Sequence, residues 1–148
     1  MTHFEKLDLI ADSYIPLILA YSVYTITQTF KASKKSGFIK SIQLLSLIAL
    51  VYITQAVDNY FYIWKSFSYD YSTHTAFSLA IVLFFIHENI KITLILVGTF
   101  FCYLLLMIYQ KYHTPEDIIT TAIILTPFMY FISVVTRNML SGTKPNTP

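Results

Sequence analysis

The sequence is short of charge, of cysteine and of basic residues near its start. Asp, Glu, Lys and Arg make up 12% of the 148 residues, against about 25% in an average soluble domain. The formal net charge of +2 is too small to indicate nucleic-acid binding. The single cysteine, Cys102, cannot form an internal disulfide, and its apolar neighbours predict a buried residue. Because residues 1–12 carry Glu5, Asp8 and Asp12 rather than a basic start, we expect no cleavable signal peptide.

Apolar residues are correspondingly abundant. They make up 55% of the chain, and the mean hydropathy is +0.59. A membrane-spanning helix needs about 20 mostly apolar residues. Five stretches approach this length and predict an all-α, multi-pass transmembrane helical bundle: Ser13–Phe30, Ser41–Ile63, Ser72–His87, Ile90–Tyr109 and Glu116–Val135. We expect them to form one domain, residues 1–137, followed by a flexible cytoplasmic tail, residues 138–148.

The distribution of basic residues predicts the orientation. Five crossings place the connecting segments alternately on two sides of the membrane. Seven of the ten Lys and Arg residues fall on one side: Lys31, Lys34, Lys35, Lys40, Lys91, Arg137 and Lys144. Because cytoplasmic segments are enriched in Lys and Arg, this side is predicted to be cytoplasmic. We therefore expect a multi-pass protein of the cell membrane with its N-terminus outside and its C-terminus in the cytoplasm.

Two polar segments, each with a histidine, fall on the predicted outer face. Residues 70–77 read DYSTHTAF, and residues 112–119 read YHTPEDII. Each segment opens a predicted helix, whose N-terminus carries free amides and about half a positive charge. Two such helix starts that converge would bind an anion, with phosphate the best suited. His74 could then protonate a leaving oxygen while His113 attacks phosphorus, as phosphoryl transfer through a covalent intermediate requires.

The second segment also supplies a partner for its histidine. Thr114 is a favourable N-cap, and Asp117 lies in the first helical turn, from which its carboxylate can reach back toward His113. A carboxylate on one imidazole nitrogen leaves the other deprotonated and directed outward. The simpler interpretation is that these residues only cap a helix, and the same holds for Ser72 or Thr73 at the start of the third span.

The two segments resemble motifs of the type 2 phosphatidic acid phosphatase superfamily, the membrane lipid phosphate phosphatases. That superfamily carries Pro-Ser-Gly-His and, further along, His-x-x-x-Asp; this chain has YSTH at residues 71–74 and HTPED at residues 113–117. The resemblance implies that His113 is the nucleophile and forms a phosphohistidine. It also implies that Asp117 orients His113 and that His74 is the general acid.

The resemblance also implies a phosphate-binding set, from which the usual arginine is missing. Ser72 would hold a phosphate oxygen, and Thr73 stands where the family has glycine. The family's Lys and Arg-Pro element has no counterpart, and Met107 replaces its Arg before the second histidine. Arg binds phosphate in a bidentate manner, whereas Lys acts as a point charge. Lys65 and Lys111 are the cations of this face that would take over the role.

One branch of the superfamily leaves the acceptor open. The sphingomyelin synthase-like proteins also lack the Ser-Arg element, and their Ser-Gly-His-Thr motif is similar to STHT at residues 72–75. These proteins transfer a phospho-headgroup to a lipid alcohol instead of to water. The resemblance therefore implies a phospholipid or isoprenoid phosphate substrate and no cofactor, with either hydrolysis or transfer as the outcome.

A non-catalytic membrane scaffold or lipid-binding subunit is the alternative function. The missing cations favour it, whereas the His–His–Asp set favours an enzyme, either a phosphoric ester hydrolase or a phospho-headgroup transferase. No metal site is expected, because only His3 could join His74 and His113 on this face. Beyond the bilayer itself, no partner is predicted, and the oligomeric state stays open. One helix face at the outer end of the second span is polar: Gln55, Asp58 and Asn59. We expect it to meet water, with hydrogen bonding to a lipid headgroup as the alternative.

Overall fold

The computed structural model describes residues 3–142, and over that range its regular secondary structure is all α-helix. Six helices follow one another: α1 (His3–Ala32), α2 (Lys34–Phe61), α3 (Ile63–Ser66), α4 (Thr73–Phe85), α5 (Ile90–Tyr109) and α6 (Pro115–Ser141). Helices α1, α2, α5 and α6 are long and apolar enough to cross a membrane. The predicted all-α, membrane-spanning bundle is therefore confirmed.

Helix α4 is the short core of this bundle. It has 13 residues, and every residue from Thr75 to Phe85 is buried. A rise of 1.5 Å per residue makes it about 20 Å long, less than the roughly 30 Å of a bilayer core. Because it is apolar on all sides, it is enclosed by α1, α2, α5 and α6. The stretch Ser72–His87, predicted as a span, is thus a central helix that is too short to span alone.

The carboxyl end of α4 is closed by its neighbours. The last four carbonyls of a helix receive no hydrogen bond from N–H groups within the helix, so they need donors from outside when they are buried. Three side chains, one each from α6, α2 and α5, supply them. Ser133 Oγ donates to the Leu83 carbonyl at 2.8 Å, Gln43 Nε2 to that of Phe84 at 3.4 Å and Thr93 Oγ1 to that of Phe85 at 2.9 Å.

The amino end of α4 is anchored to α6. The Ser72 N–H donates to Thr121 Oγ1 at 3.1 Å, and Trp64 Nε1 in α3 donates to Thr120 Oγ1 at 3.2 Å. Asp58 is buried and accepts the Trp64 N–H at 2.8 Å, where it stabilises the turn between α2 and α3. One residue of the face that was predicted to meet water, Asp58, is therefore buried and structural. Because Ser72 and Trp64 both bond to α6, α4 and α6 begin at the same end of the bundle.

Helices α1 and α2 form a tight antiparallel pair. Ser33 lies between them, and its side chain accepts the Ser36 N–H as the N-cap of α2. Gly37 is buried where the chain reverses, and a Cβ at this position would overlap the Phe30 ring. Glycine is therefore required here for close packing rather than for an unusual backbone angle.

Three sequence expectations need correction. Cys102 is exposed on the outer face of α5 rather than buried. Helix α1 begins at His3, ten residues before the predicted start, because its first turns are polar but still helical. Helix α6 continues to Ser141, so the first four residues of the predicted flexible tail are helical. Residues 143–148 of that tail lie outside the described range.

Candidate active site

Two histidines from different helix starts lie side by side at one end of the bundle. His113 immediately precedes the α6 cap, and His74 lies in the first turn of α4. Their ring centroids are 5.8 Å apart, and the ring planes are inclined by 58°. Both residues are half-buried. The anchoring of α4 on α6 thus brings together the two histidines that the sequence placed on one face.

The carboxylate of Asp117 binds the two helix starts to each other. Its Oδ2 accepts the Thr114 N–H at 2.9 Å, and the Thr114 hydroxyl accepts the Asp117 N–H in return, which completes a capping box. Its Oδ1 accepts the Asp70 N–H at 2.8 Å and so fixes the segment before α4. His113 Nδ1 is 3.9 Å from Oδ2, beyond hydrogen-bonding distance. Asp117 therefore lies beside the imidazole while its hydrogen bonds go to backbone amides.

The surroundings of His113 keep its imidazole neutral. Burial lowers the pKa of His113, and the neighbouring His74 ring lowers it further, because a charged imidazolium is poorly solvated there and is repelled by a second one. Asp117 and Asp70 oppose this shift without reversing it. A neutral imidazole has a free lone pair, which is the form that a nucleophile or base needs.

A cavity of about 480 Å³, lined by both polar and apolar atoms, opens beside His113. Its lining contains two carboxylates, one lysine and the residues at the start of α6. The full set is Asp70, Ile108, Lys111, Tyr112, His113, Thr114, Pro115 and Asp117. Lys111 has a φ of 59°, in the left-handed region. This conformation costs a non-glycine residue about 1 kcal/mol. Tyr62 and Ser68 also have positive φ, and Lys111 is the member of this set that shares the cavity with His113.

A second cavity, of about 460 Å³, opens beside His74 and is mostly apolar. It lies between α1, α2 and α4 and is lined by Ile15, Pro16, Leu19, Ile48, Tyr52, Thr73, His74 and Phe77. The two rings are thus adjacent but line different cavities, one of mixed polarity and one mostly apolar. A molecule with a polar head and a long apolar chain matches this pairing.

The other residues of the predicted phosphate-binding set lie in different environments. Ser72 is fully buried, and its hydroxyl bonds to Thr75 as the N-cap of α4, so it is turned away from both cavities. Thr73 lines the apolar cavity. Lys65 is exposed on α3, with its ammonium 5.6 Å from the Tyr62 ring centre. Lys111 is the lysine that the fold brings to His113.

The fold also gathers residues that sequence reasoning missed. Tyr103 in α5 and Tyr112 flank His74, with ring centroids 6.5 Å and 6.3 Å away. The Tyr112 hydroxyl donates to Asp8 at 3.1 Å, and this hydrogen bond raises the pKa of Tyr112. Asp8 also accepts from the Gln110 amide. A prediction that α1 begins at residue 3 would have suggested a role for Asp8, because the helix then places Asp8 on a face toward the bundle.

Two polar atoms in this site are buried and lack a hydrogen-bond partner among residues 3–142. They are His74 Nδ1 and the Tyr103 hydroxyl oxygen. Buried polar groups are usually paired, and an unpaired one commonly marks a ligand site or a bound water. The pair is therefore where a bound water or a polar ligand would complete the hydrogen bonding around His74.

No protein-family model, curated protein or solved structure significantly matches this chain. The likeness to the lipid phosphate phosphatases therefore depends on the motif residues alone. Within the described range, no group of three or more His, Cys, Asp or Glu side chains is placed to hold a metal ion. What the site offers chemically is a neutral imidazole, a second imidazole beside it, a lysine and two helix N-termini.

Proposed function

We propose that this protein transfers a phosphoryl group or phospho-headgroup from a membrane lipid through a phosphohistidine intermediate. The observation that carries the proposal is the 5.8 Å separation of the His74 and His113 rings at two adjacent helix starts. The substrate class is a phospholipid or an isoprenoid phosphate. The protein would act as a lipid phosphatase if water is the acceptor and as a headgroup phosphotransferase if a lipid alcohol is.

In the first step, Nε2 of His113 attacks phosphorus and forms an N–P bond. The P–O bond to the lipid alcohol breaks, and the departing oxygen takes a proton from His74, whose imidazolium form is stabilised by the negative charge of the bound phosphate. A centroid separation of 5.8 Å is too small for a phosphate between the ring faces. The phosphorus therefore belongs at the ring edges, in the cavity that Lys111 lines.

In the second step, water or an alcohol attacks the phosphohistidine. His74, now neutral, takes the proton of the attacking hydroxyl, and the N–P bond to His113 breaks. Lys111 and the dipoles of the two helix starts offset the negative charge on the phosphoryl oxygens, against the carboxylates of Asp70 and Asp117 in the same lining. The apolar cavity beside His74 would hold the lipid chain, which keeps the scissile bond at the junction of the two cavities.

We place the site on the outer face of the cell membrane, with the N-terminus outside and the C-terminus in the cytoplasm. The support is the distribution of basic residues, since Lys34, Lys40, Lys91 and Arg137 all lie at the opposite end of the bundle from the two histidines. Cytoplasmic ends of membrane helices are enriched in such residues.

The test is turnover of lipid phosphates by purified protein in detergent, with and without a lipid alcohol acceptor. Alkyl phosphates need a proton on the leaving oxygen, whereas an aryl phosphate with an acidic leaving group does not. We expect His113→Ala to abolish turnover of both. We expect His74→Ala to lose about 10²–10⁴-fold on the alkyl ester and much less on the aryl ester.

Two further measurements complete this test. Lys91→Ala, an exposed substitution at the other end of the bundle, is the control and should leave both rates unchanged. When the lipid substrate carries a labelled phosphoryl group, the label should become attached to the wild-type protein. The bond should be stable to alkali and labile to acid. Equal losses by His74→Ala on the two esters would contradict the assignment of His74 as the acid.

The second candidate function is a non-catalytic scaffold or lipid-binding subunit. It is favoured by the hydrogen bonds of Asp117 and Ser72, which account for both residues as helix caps. It is also favoured by Met107 at the position of the missing arginine. Absence of turnover for every lipid, with or without an alcohol, would select this function.

A further inference from the structure

A third cavity lies at the opposite end of the bundle from the histidine pair. It measures about 470 Å³ and is formed by α2, α6 and the turn after α4. Its lining is mainly polar: Ser36, Lys40, Gln43, Phe84, His87, Glu88, Ser133, Arg137, Leu140 and Ser141. These residues come from three separate parts of the chain, so only the folded structure groups them.

The charges around this cavity leave a positive excess. Lys40 and Arg137 are the cations of the lining and Glu88 is its acid, so the formal charge is +1 with His87 neutral. Lys40 Nζ is 2.7 Å from Glu88 Oε1, and the Lys40 side chain is only 8% exposed. A buried charge of this kind needs a partner, and Glu88 provides it. The guanidinium of Arg137 adds a further positive charge, and the Lys40 ammonium still has hydrogens to donate.

His87 adds an unused hydrogen-bonding atom. Its Nε2 is buried and lacks a hydrogen-bond partner among the described residues. Burial lowers the pKa of His87, and Arg137 lowers it further, while Glu88 opposes the shift. The His87 ring also lies beside the Tyr130 ring, with a centroid separation of 6.0 Å. An anion in the cavity would supply what this ring lacks, because it would accept a hydrogen bond from Nε2–H.

We propose that this cavity binds a phosphate-class oxyanion, held by Arg137, Lys40 and His87. Arg presents a planar fork of donors that matches two oxygens of a phosphate, and Lys adds a point charge. Two sources supply such a group: inorganic phosphate in solution, or the monoester headgroup of a phospholipid in the adjacent leaflet. This site is independent of the proposed lipid phosphotransfer, since it shares no residue with the histidine pair.

The proposal is tested by phosphate binding to the full chain in a neutral detergent. Inorganic phosphate is titrated calorimetrically in one arm. In the other arm, the protein is placed in phosphatidylcholine nanodiscs with or without phosphatidic acid, and the imidazole resonances of labelled histidines are followed. All measurements are made in a Lys111→Gln, His113→Ala background, which removes the proposed phosphate-binding cation and the nucleophile at the other end of the bundle.

Arg137→Gln should weaken binding about tenfold or more, because it removes a charge-assisted pair of hydrogen bonds. Lys91→Gln removes an exposed cation at the same end and should change the affinity less than about twofold. Glu88→Gln should tighten binding, since it removes the acid of the lining. Bound phosphate or phosphatidic acid should raise the pKa of His87, the resonance being assigned by its loss in His87→Asn.

The two arms separate the sources. Binding of inorganic phosphate with this variant pattern supports a soluble ligand, and a response to phosphatidic acid alone supports a lipid headgroup. Binding that is equal in wild type and Arg137→Gln, with the protein folded, overturns the proposal. Lack of response to either anion overturns it as well.

Discussion

Replacing Asp117 by Asn tests how the two helix starts are held together. The wild-type carboxylate accepts the Asp70 N–H at 2.8 Å and the Thr114 N–H at 2.9 Å. Asn has the same shape but only one carbonyl oxygen, so its NH₂ group must face one of these two backbone donors. One hydrogen bond is lost, a partly buried N–H is left without its protein acceptor, and the remaining bond loses the charge of its acceptor.

The expected cost follows from these losses. A hydrogen bond to a charged group contributes about 1.5–3 kcal/mol, and a neutral one about 1 kcal/mol. Losing one charged bond and weakening the other should therefore destabilise the fold by about 3 kcal/mol. Glu116→Gln is the matched control, because Glu116 lies exposed in the same helical turn. That change removes only its interaction with the helix dipole, about 0.3–1 kcal/mol.

The assay is equilibrium unfolding in mixed micelles, followed by circular dichroism as sodium dodecyl sulfate is added. If the free energy of unfolding of Asp117→Asn lies within about 1 kcal/mol of that of Glu116→Gln, the assignment of these two hydrogen bonds is refuted.

Imidazole titration gives an independent check on His113. Because the Asp117 carboxylate favours the charged imidazolium, Asp117→Asn should lower the pKa of His113 further. An unchanged titration would mean that the carboxylate does not act on the ring.

Three other changes have defined outcomes. Ser72→Ala should destabilise the protein by about 1 kcal/mol through loss of the α4 cap, with turnover per folded molecule unchanged; lost turnover would instead support a phosphate contact. Gly37→Val should cost about 1–3 kcal/mol in the same unfolding assay, because its side chain overlaps the Phe30 ring, and Gly98→Val, at an open position, should cost less. Burial lowers the pKa of His113, so its nucleophilic neutral form predominates above about pH 6.5. On the acid side of the pH profile, turnover should therefore fall only as the pH drops through this lowered pKa. A limb centred above pH 6.5 would exclude His113 as that group.

The architecture was predictable where apolar length decides it. Long apolar runs identify α2, α5 and α6, and Thr114 with Pro115 marks the start of α6 correctly. The start of α1 was missed because Glu5 and Asp8 interrupt the apolar pattern, although helix geometry does not depend on it. The length of α4 was overestimated because a buried core helix and a lipid-facing one have the same composition.

The candidate site was predictable in its histidines and less so in its polar contacts. The shared direction of two helix starts predicts that His74 and His113 lie at the same end of the bundle, and the packing of α4 on α6 brings the rings into contact. The bonds of Asp117 depend on where the Asp70 amide lies, which tertiary packing decides. The proximity of Tyr103 likewise follows from how α5 packs on α4, and a single sequence carries no record of that contact.

The closed carboxyl end of α4 has a consequence for how the chain enters the membrane. Its terminal carbonyls depend on Gln43, Thr93 and Ser133, and the last two belong to segments synthesised after α4 itself. At about 20 Å, α4 is also too short to be stable in lipid alone. We therefore expect α4 to reach its final place in the bundle only after α5 and α6 have been synthesised. A chain truncated before Ser133 should leave α4 unassembled and more readily cleaved by proteases.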